Sequence, residues 1–174
     1  MEEYRLEIKR GHTDICDYCM DIIKPHIEPP YLDIGCNSGW LLSEIQGGYG
    51  IDQSNYLIDI AKSKGYNVAC CSAESIPAAD GIFTTSVLIN ILEQCQDWRQ
   101  VLKEAIRMSN KIIIGINPIP DKSPWGREGG WVRSIISTDD MVKFCEEVGV
   151  MAEIQEIEHD KYFFKLTKVA NENN

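Results

Sequence analysis

Tyr31-Leu32-Asp33-Ile34-Gly35-Cys36-Asn37-Ser38-Gly39 joins a short apolar run, carrying one acid, to a turn bounded by two glycines. The run predicts a buried strand, and the glycines permit a tight turn with close backbone approach to a ligand. Pro29-Pro30 breaks the chain just before it. Residues 39–45 predict a short helix, stopped by Gly47-Gly48.

The same figure repeats outward from this stretch. Residues 49–51 predict a second strand that ends at Asp52, and residues 55–64 a helix with Gly65 beyond its end. Strands follow at 67–71 and 82–88, separated by a loop that carries Pro77. Residues 94–108 predict a helix with Trp98, Val101, Leu102, Ala105 and Ile106 on one face. The unbroken apolar run 111–116 predicts a strand covered on both sides, inside the sheet. A long irregular stretch, 117–133, holds Trp125 and Trp131, and a helix at 138–148 comes after it. Two closing strands, 150–157 and 162–168, face each other across a turn at 158–161. Upstream, residues 13–24 predict a helix ended by Pro25. The sum is an α/β protein with a doubly wound, mostly parallel seven-stranded sheet and a C-terminal antiparallel hairpin. Residues 1–29 form an N-terminal helical cap, 30–169 one domain, and 170–174 a frayed tail.

Composition narrows the partners. The 174 residues carry a formal net charge of -10, which disfavours phosphate backbones and anionic membrane surfaces. No run is long and apolar enough for a membrane span. Arg99, Lys103 and Arg107 share helical spacing and predict one solvated face. The seven cysteines follow a charged N-terminus without an apolar leader, so reduced thiols in a cytoplasmic compartment are expected. Cys16 and Cys19 form one CxxC, with neither a second pair nor a histidine at ligand spacing. Buried helix thiols are expected there and no metal site.

In an open α/β sheet, ligands bind beyond the carboxyl ends of the strands, near the point where strand order reverses. Asp33, Gly35 and Gly39 stand at the end of the first strand, and Asp52 at the end of the second. An acid at the second place accepts ribose hydroxyls. Here the chain resembles the class I S-adenosylmethionine-dependent methyltransferases, over roughly residues 30–168. The run 31–39 is similar to their first motif, with Asn37 in place of the middle glycine; asparagine also tolerates positive φ. Cys71-Ser72-Ala73-Glu74-Ser75-Ile76-Pro77 is similar to the family's segment after strand three, with Ser72 where the family has an adenine-binding aspartate. Ser86-Val87-Leu88-Ile89-Asn90-Ile91 is similar to the strand-four signature, with Asn90 at a frequent histidine position. A looser likeness, over 101–116 and 137–149, is to the methionine-biosynthesis MetW group; no substrate follows from it.

The resemblance implies a Rossmann-like fold and S-adenosylmethionine as cofactor. It implies cofactor contacts at Asp33, Gly35, Cys36, Asn37, Gly39, Asp52, Gln53, Ser72, Ala73, Glu74 and Ser86. Asp33 would hold the ammonium, Asp52 the ribose, and the Ala73 amide the adenine. Because the sulfonium is an activated electrophile, alignment of a nucleophile is the main task, and no catalytic side chain is assigned. His12, Asn90, Trp125, Arg127 and Trp131 are candidates to face the acceptor, a small molecule. Two other functions fit part of the pattern. A non-catalytic cofactor-binding module is consistent with the altered positions Asn37, Ser72 and Asn90. An NAD-dependent oxidoreductase is consistent with a glycine-rich turn followed by an acid, but the GxGxxG spacing is missing.

Overall fold

A computed structural model describes residues 20–118, 133–157 and 161–169. Its element order is β1 (Tyr31–Ile34), α1 (Trp40–Glu44), β2 (Gly48–Asp52), α2 (Asn55–Ser63), β3 (Val68–Cys70) and β4 (Phe83–Ile89). Next come α3 (Trp98–Met108), β5 (Ser109–Pro118), α4 (Thr138–Val148), β6 (Val150–Ile157) and β7 (Lys161–Lys168). The sheet has seven strands in the order β3-β2-β1-β4-β5-β7-β6. The first five pair in parallel, while β7 runs antiparallel to both β5 and β6. Strand order therefore reverses between β1 and β4, and the expected α/β sheet with a closing hairpin is present.

Alternation along the strands explains the two cores. Leu32, Ile34, Leu88 and Ile113 face α3 and α4, with Phe144 and Phe164 filling that layer. Tyr31, Val87, Ile112, Ile114 and Ile116 face the other way, toward Leu41 of α1 and Ile58 and Ala61 of α2. β5 thus buries both faces, as its unbroken apolar run predicts. Gly115 in β5 is needed for packing: a Cβ there would lie 2.6 Å from the Leu88 carbonyl and 2.3 Å from the Phe164 ring.

Most helix limits follow local chemistry. α4 starts in a reciprocal cap, in which Ser137 accepts from the Asp140 amide and Asp140 accepts from the Ser137 amide, and it ends on Gly149 at φ 70. The expected helix 94–108 is shorter. Asp97 caps α3 by accepting from the Gln100 amide, and Leu92–Gln94 forms a separate 3-10 turn joined through extended Cys95. Arg107 also departs from the solvated face expected for it. Its guanidinium donates to Glu104, to Asp80 and to the carbonyls of Ile76 and Ala78, which fastens the β3–β4 loop to α3. The upstream helix is seen at 20–23, ending in the turn Lys24–His26. Its earlier part with Cys16 and Cys19, the turn at 158–160 and the tail 170–174 lie outside the described residues. Cys36, Cys70, Cys71, Cys95 and Cys145 are free thiols. Among the described residues no helix is long and apolar enough to cross a membrane, and no cluster suits a metal ion.

Candidate cofactor site at the strand switch point

The turn 35–39 runs above the carboxyl end of β1, between β2 and β4. Gly35 has φ 81 and Gly39 φ 86, and Asn37 sits at φ 51, the left-handed conformation its residue type tolerates. Both glycines lie against neighbours. A Cβ on Gly35 would meet Ile91 Cδ1 at 2.5 Å, and one on Gly39 would meet the Tyr66 ring at 2.4 Å.

The amides of this turn are all occupied within the fold. Gly35 and Cys36 both donate to the Ile51 carbonyl, at 2.8 and 2.9 Å. Asn37 donates to Asp52 Oδ2 at 3.1 Å, Ser38 to Asn37 Oδ1 at 2.7 Å, and Gly39 to the Cys36 carbonyl at 2.9 Å. A site built to grip phosphate presents free backbone N–H groups at this place. Here the turn presents none, and two carboxylates stand beside it.

Asp52 also accepts from the Ser54 amide at 2.8 Å through Oδ1. Each of its oxygens therefore takes one backbone donor and keeps capacity for a second, since a carboxylate offers about four acceptor positions. Asp33 is only 4% exposed. Among the described residues no hydrogen bond or ion pair reaches its carboxylate, and burial together with the Asp52 charge pushes its pKa up to about 7. A buried anion without a counter-ion is a place prepared for a positive charge.

The remaining expected positions divide. Cys36 is buried with its side chain packed beneath Gly50, so only its backbone borders the turn; burial, with Asp33 and Asp52 adding to it, raises its thiol pKa. Gln53 is exposed beyond β2, and its carbonyl lies 3.5 Å from Cys70 Sγ. Ser72 and Ala73 follow β3 at the same edge, and Ser72 Oγ accepts from the Glu74 amide. The Glu74 carboxylate is turned to α3, where Oε1 accepts from the Asp97 amide. Ser86 lies further back in its strand. It pairs with Leu32 and Ile113 in mid-strand, short of the carboxyl end. Its buried hydroxyl bonds the Ala105 carbonyl and Ser109, so it ties β4 to α3 and to the start of β5. Asn90 is at the rim, at φ 52, accepting from Lys161 Nζ at 3.1 Å. His12, Trp125, Arg127 and Trp131 lie outside the described residues.

Two neighbours of the site carried no sequence signal. Ile91 and Tyr66 shape the turn only because β4 and α2 bring them to it. Glu93 is a third addition: an acid in an apolar turn, buried at 6% exposure, whose isolation between Leu92 and Gln94 was the only available hint.

Comparison with known proteins bears on the fold that carries this turn. The family described as "Methyltransferase domain" matches residues 32–111. The chain has the fold of the S-adenosylmethionine-dependent methyltransferases. A SAM-dependent methyltransferase of Thermotoga maritima, described as a possible histamine N-methyltransferase, superposes with TM-score 0.73 at 19% identity, over 86% of this chain and 87% of its own. SAM-dependent methyltransferases of Methanosarcina mazei give TM-score 0.67 at 17% identity, over 85% of this chain and 97% of theirs. An uncharacterized protein of Methanocaldococcus jannaschii is 29% identical over 101 residues, 56% of this chain. The chain spans about half (49%) of the length of that curated relative.

Proposed function

We propose that the protein transfers a methyl group from S-adenosylmethionine to a small-molecule acceptor. The observation that carries this reading is the polarity of the switch-point turn: every amide is occupied, and the unpaired charges are the carboxylates of Asp33 and Asp52. Such a site attracts a cation and repels a pyrophosphate. S-adenosylmethionine is cationic at its sulfonium and its ammonium; NAD brings two phosphates. The sheet separates them too, because the dinucleotide-binding order 3-2-1-4-5-6 has no antiparallel strand placed between the fifth and sixth.

The residues fit the cofactor. Asp33 would hold the ammonium, and the free capacity of Asp52 would take the ribose hydroxyls. Ser72 and Ala73 border the place for the adenine. When bound, the cofactor supplies an activated methyl group, so the chain's part is to hold it and to align the acceptor. A net charge of -10 is consistent with an acceptor that is not a nucleic acid.

Calorimetric titration with S-adenosylmethionine, S-adenosylhomocysteine and NAD tests the reading. Saturable binding of the first two and none of NAD is expected. Binding of NAD alone would overturn it. Binding of the first two without turnover of any acceptor would support a non-catalytic module.

A further inference from the structure

Beyond β4 the chain turns at Asn90, and Ile91 lies against Gly35, so the turn Leu92–Gln94 borders the glycine turn. Glu93 in that turn is fixed by its backbone, whose carbonyl accepts from the amides of Arg133 and Ser134 at 2.8 and 3.1 Å. Its Oε2 has no hydrogen-bond partner among the described residues. At the carboxyl end of β5, Asn117 pairs with Tyr162 of β7, and both side chains are fully buried. The Tyr162 hydroxyl feels the Glu93 charge, and Lys161 faces Glu93 while donating to Asn90. Asn90, Glu93, Asn117, Lys161 and Tyr162 thus form a polar group where strands β4 and β5 end.

We propose that Glu93 is the proton acceptor for the methyl acceptor, and that Lys161 and Asn90 stand beside it. This inference rests on the methyl-transfer reading above. In the step, the acceptor's lone pair forms the bond to the methyl carbon and the carbon–sulfur pair stays on sulfur. The proton of the acceptor N–H or O–H passes to Glu93 Oε2. The acceptor class is accordingly an amine or a phenol. A base serves best when its pKa lies near the working pH. Burial pushes Glu93 up to about 7, against the opposing pull of its own amide, the Gln94 side chain and Lys161. Among the described residues Lys161 from β7 is the charged group that acts on Glu93 itself, while Arg133 and Glu74 act with Glu93 on the neighbouring Cys95, and Asp140 of α4 acts with Glu93 on Tyr162.

The test compares the full-length protein with Glu93→Gln and Glu93→Asp. Release of S-adenosylhomocysteine is followed from pH 5 to 9 with a panel of small amines, phenols and thiols. In the wild type, kcat/KM on an amine or phenol should rise through a step near pH 7. Glu93→Gln should lose roughly 100-fold or more in kcat and lose that step, with unchanged affinity for S-adenosylhomocysteine, and Glu93→Asp should recover part of the rate. An unchanged rate and profile in Glu93→Gln overturns the proposal, and so does loss of S-adenosylhomocysteine binding in that variant. If the panel yields no turnover, carboxyl carbon NMR of the S-adenosylhomocysteine complex decides, with Glu93→Gln assigning the signal. Titration near 7 supports the proposal, and titration in the ordinary carboxylate range overturns it. A wild-type protein that binds neither S-adenosyl compound removes the underlying reading instead.

Discussion

At the scale of single residues, Asp52 has two duties. It accepts the amides of Asn37 and Ser54, and on our reading its remaining capacity takes ribose hydroxyls. Asp52→Ala should therefore weaken S-adenosylhomocysteine binding by about 1–3 kcal/mol. Part of that loss is a looser turn, so Asp52→Asn, whose amide oxygen still accepts one backbone N–H, should lose less. Calorimetry on both variants checks this; equal and wild-type affinity in both would remove Asp52 from the cofactor contacts. Gly35 makes a different demand. An alanine there needs φ 81 and places a Cβ 2.5 Å from Ile91 Cδ1. Gly35→Ala should destabilise the protein by about 1–3 kcal/mol in urea denaturation, the backbone conformation alone costing about 1–2 kcal/mol. The Ile91 contact can yield and the φ cannot. Combined with Ile91→Ala, the loss should therefore fall short of the two single losses added together.

At the scale of elements, local chemistry wrote its limits into the sequence wherever one residue type does one job. Ser137, Asp140 and Gly149 delimit α4 as their types imply, and the apolar run of β5 located that strand. What failed was long-range. The 3.6-residue pattern ran through Gln94 without showing that Asp97 starts the helix anew, because that cap depends on Glu74, which receives the Asp97 amide from another loop. Ser86 looked like part of a strand-end signature, and only the register with Leu32 shows that it stops short of the site. The glycine turn and its two acids were legible because backbone freedom and charge are properties of single residues. Glu93 and Lys161 were not, because β7 had to be placed beside β5 before they could meet. Arg107 is the clearest such case, a charge at a helical surface spacing that proves to be a structural tie. With Arg107→Ala, Glu104 is left nearly buried with the Ile76 amide as its remaining partner, and two loop carbonyls lose a donor. We expect a loss of about 1–3 kcal/mol, below the cost of breaking a fully buried pair because the guanidinium is partly exposed. Thermal or urea denaturation reads it, and a change under 0.5 kcal/mol, roughly what an ordinary surface site gives, would mean that the network is decorative.

At the scale of the whole molecule, stability, proton uptake and ligand binding are coupled through the same buried acids. Asp33 and Glu93 both titrate near 7 in the folded chain and near 4 when unfolded. Between those limits the folded state holds protons that the unfolded state has released, so the ligand-free protein loses stability as pH rises from about 4 to about 7, then levels off. A cation set beside Asp33 reverses its share of this, because it favours the ionised carboxylate and drives the proton out. Binding of S-adenosylhomocysteine, which keeps the ammonium, should therefore release a proton below pH 7, and its affinity should climb through that window. At a ligand concentration 100 times Kd, binding adds about 2.7 kcal/mol, and for a domain of this size that is roughly 5–10 °C in Tm. With ligand concentration held fixed, the thermal shift should be larger at pH 8 than at pH 5.5. Asp33→Asn should bind more weakly at pH 8, show little difference between the two pH values, and release no proton when titrated in buffers of different ionisation enthalpy. Glu93→Gln should leave that proton release in place, which separates the two acids. Equal shifts at both pH values in the wild type would mean that no positive charge comes to rest against Asp33, and the assignment of the ammonium to that carboxylate would fail.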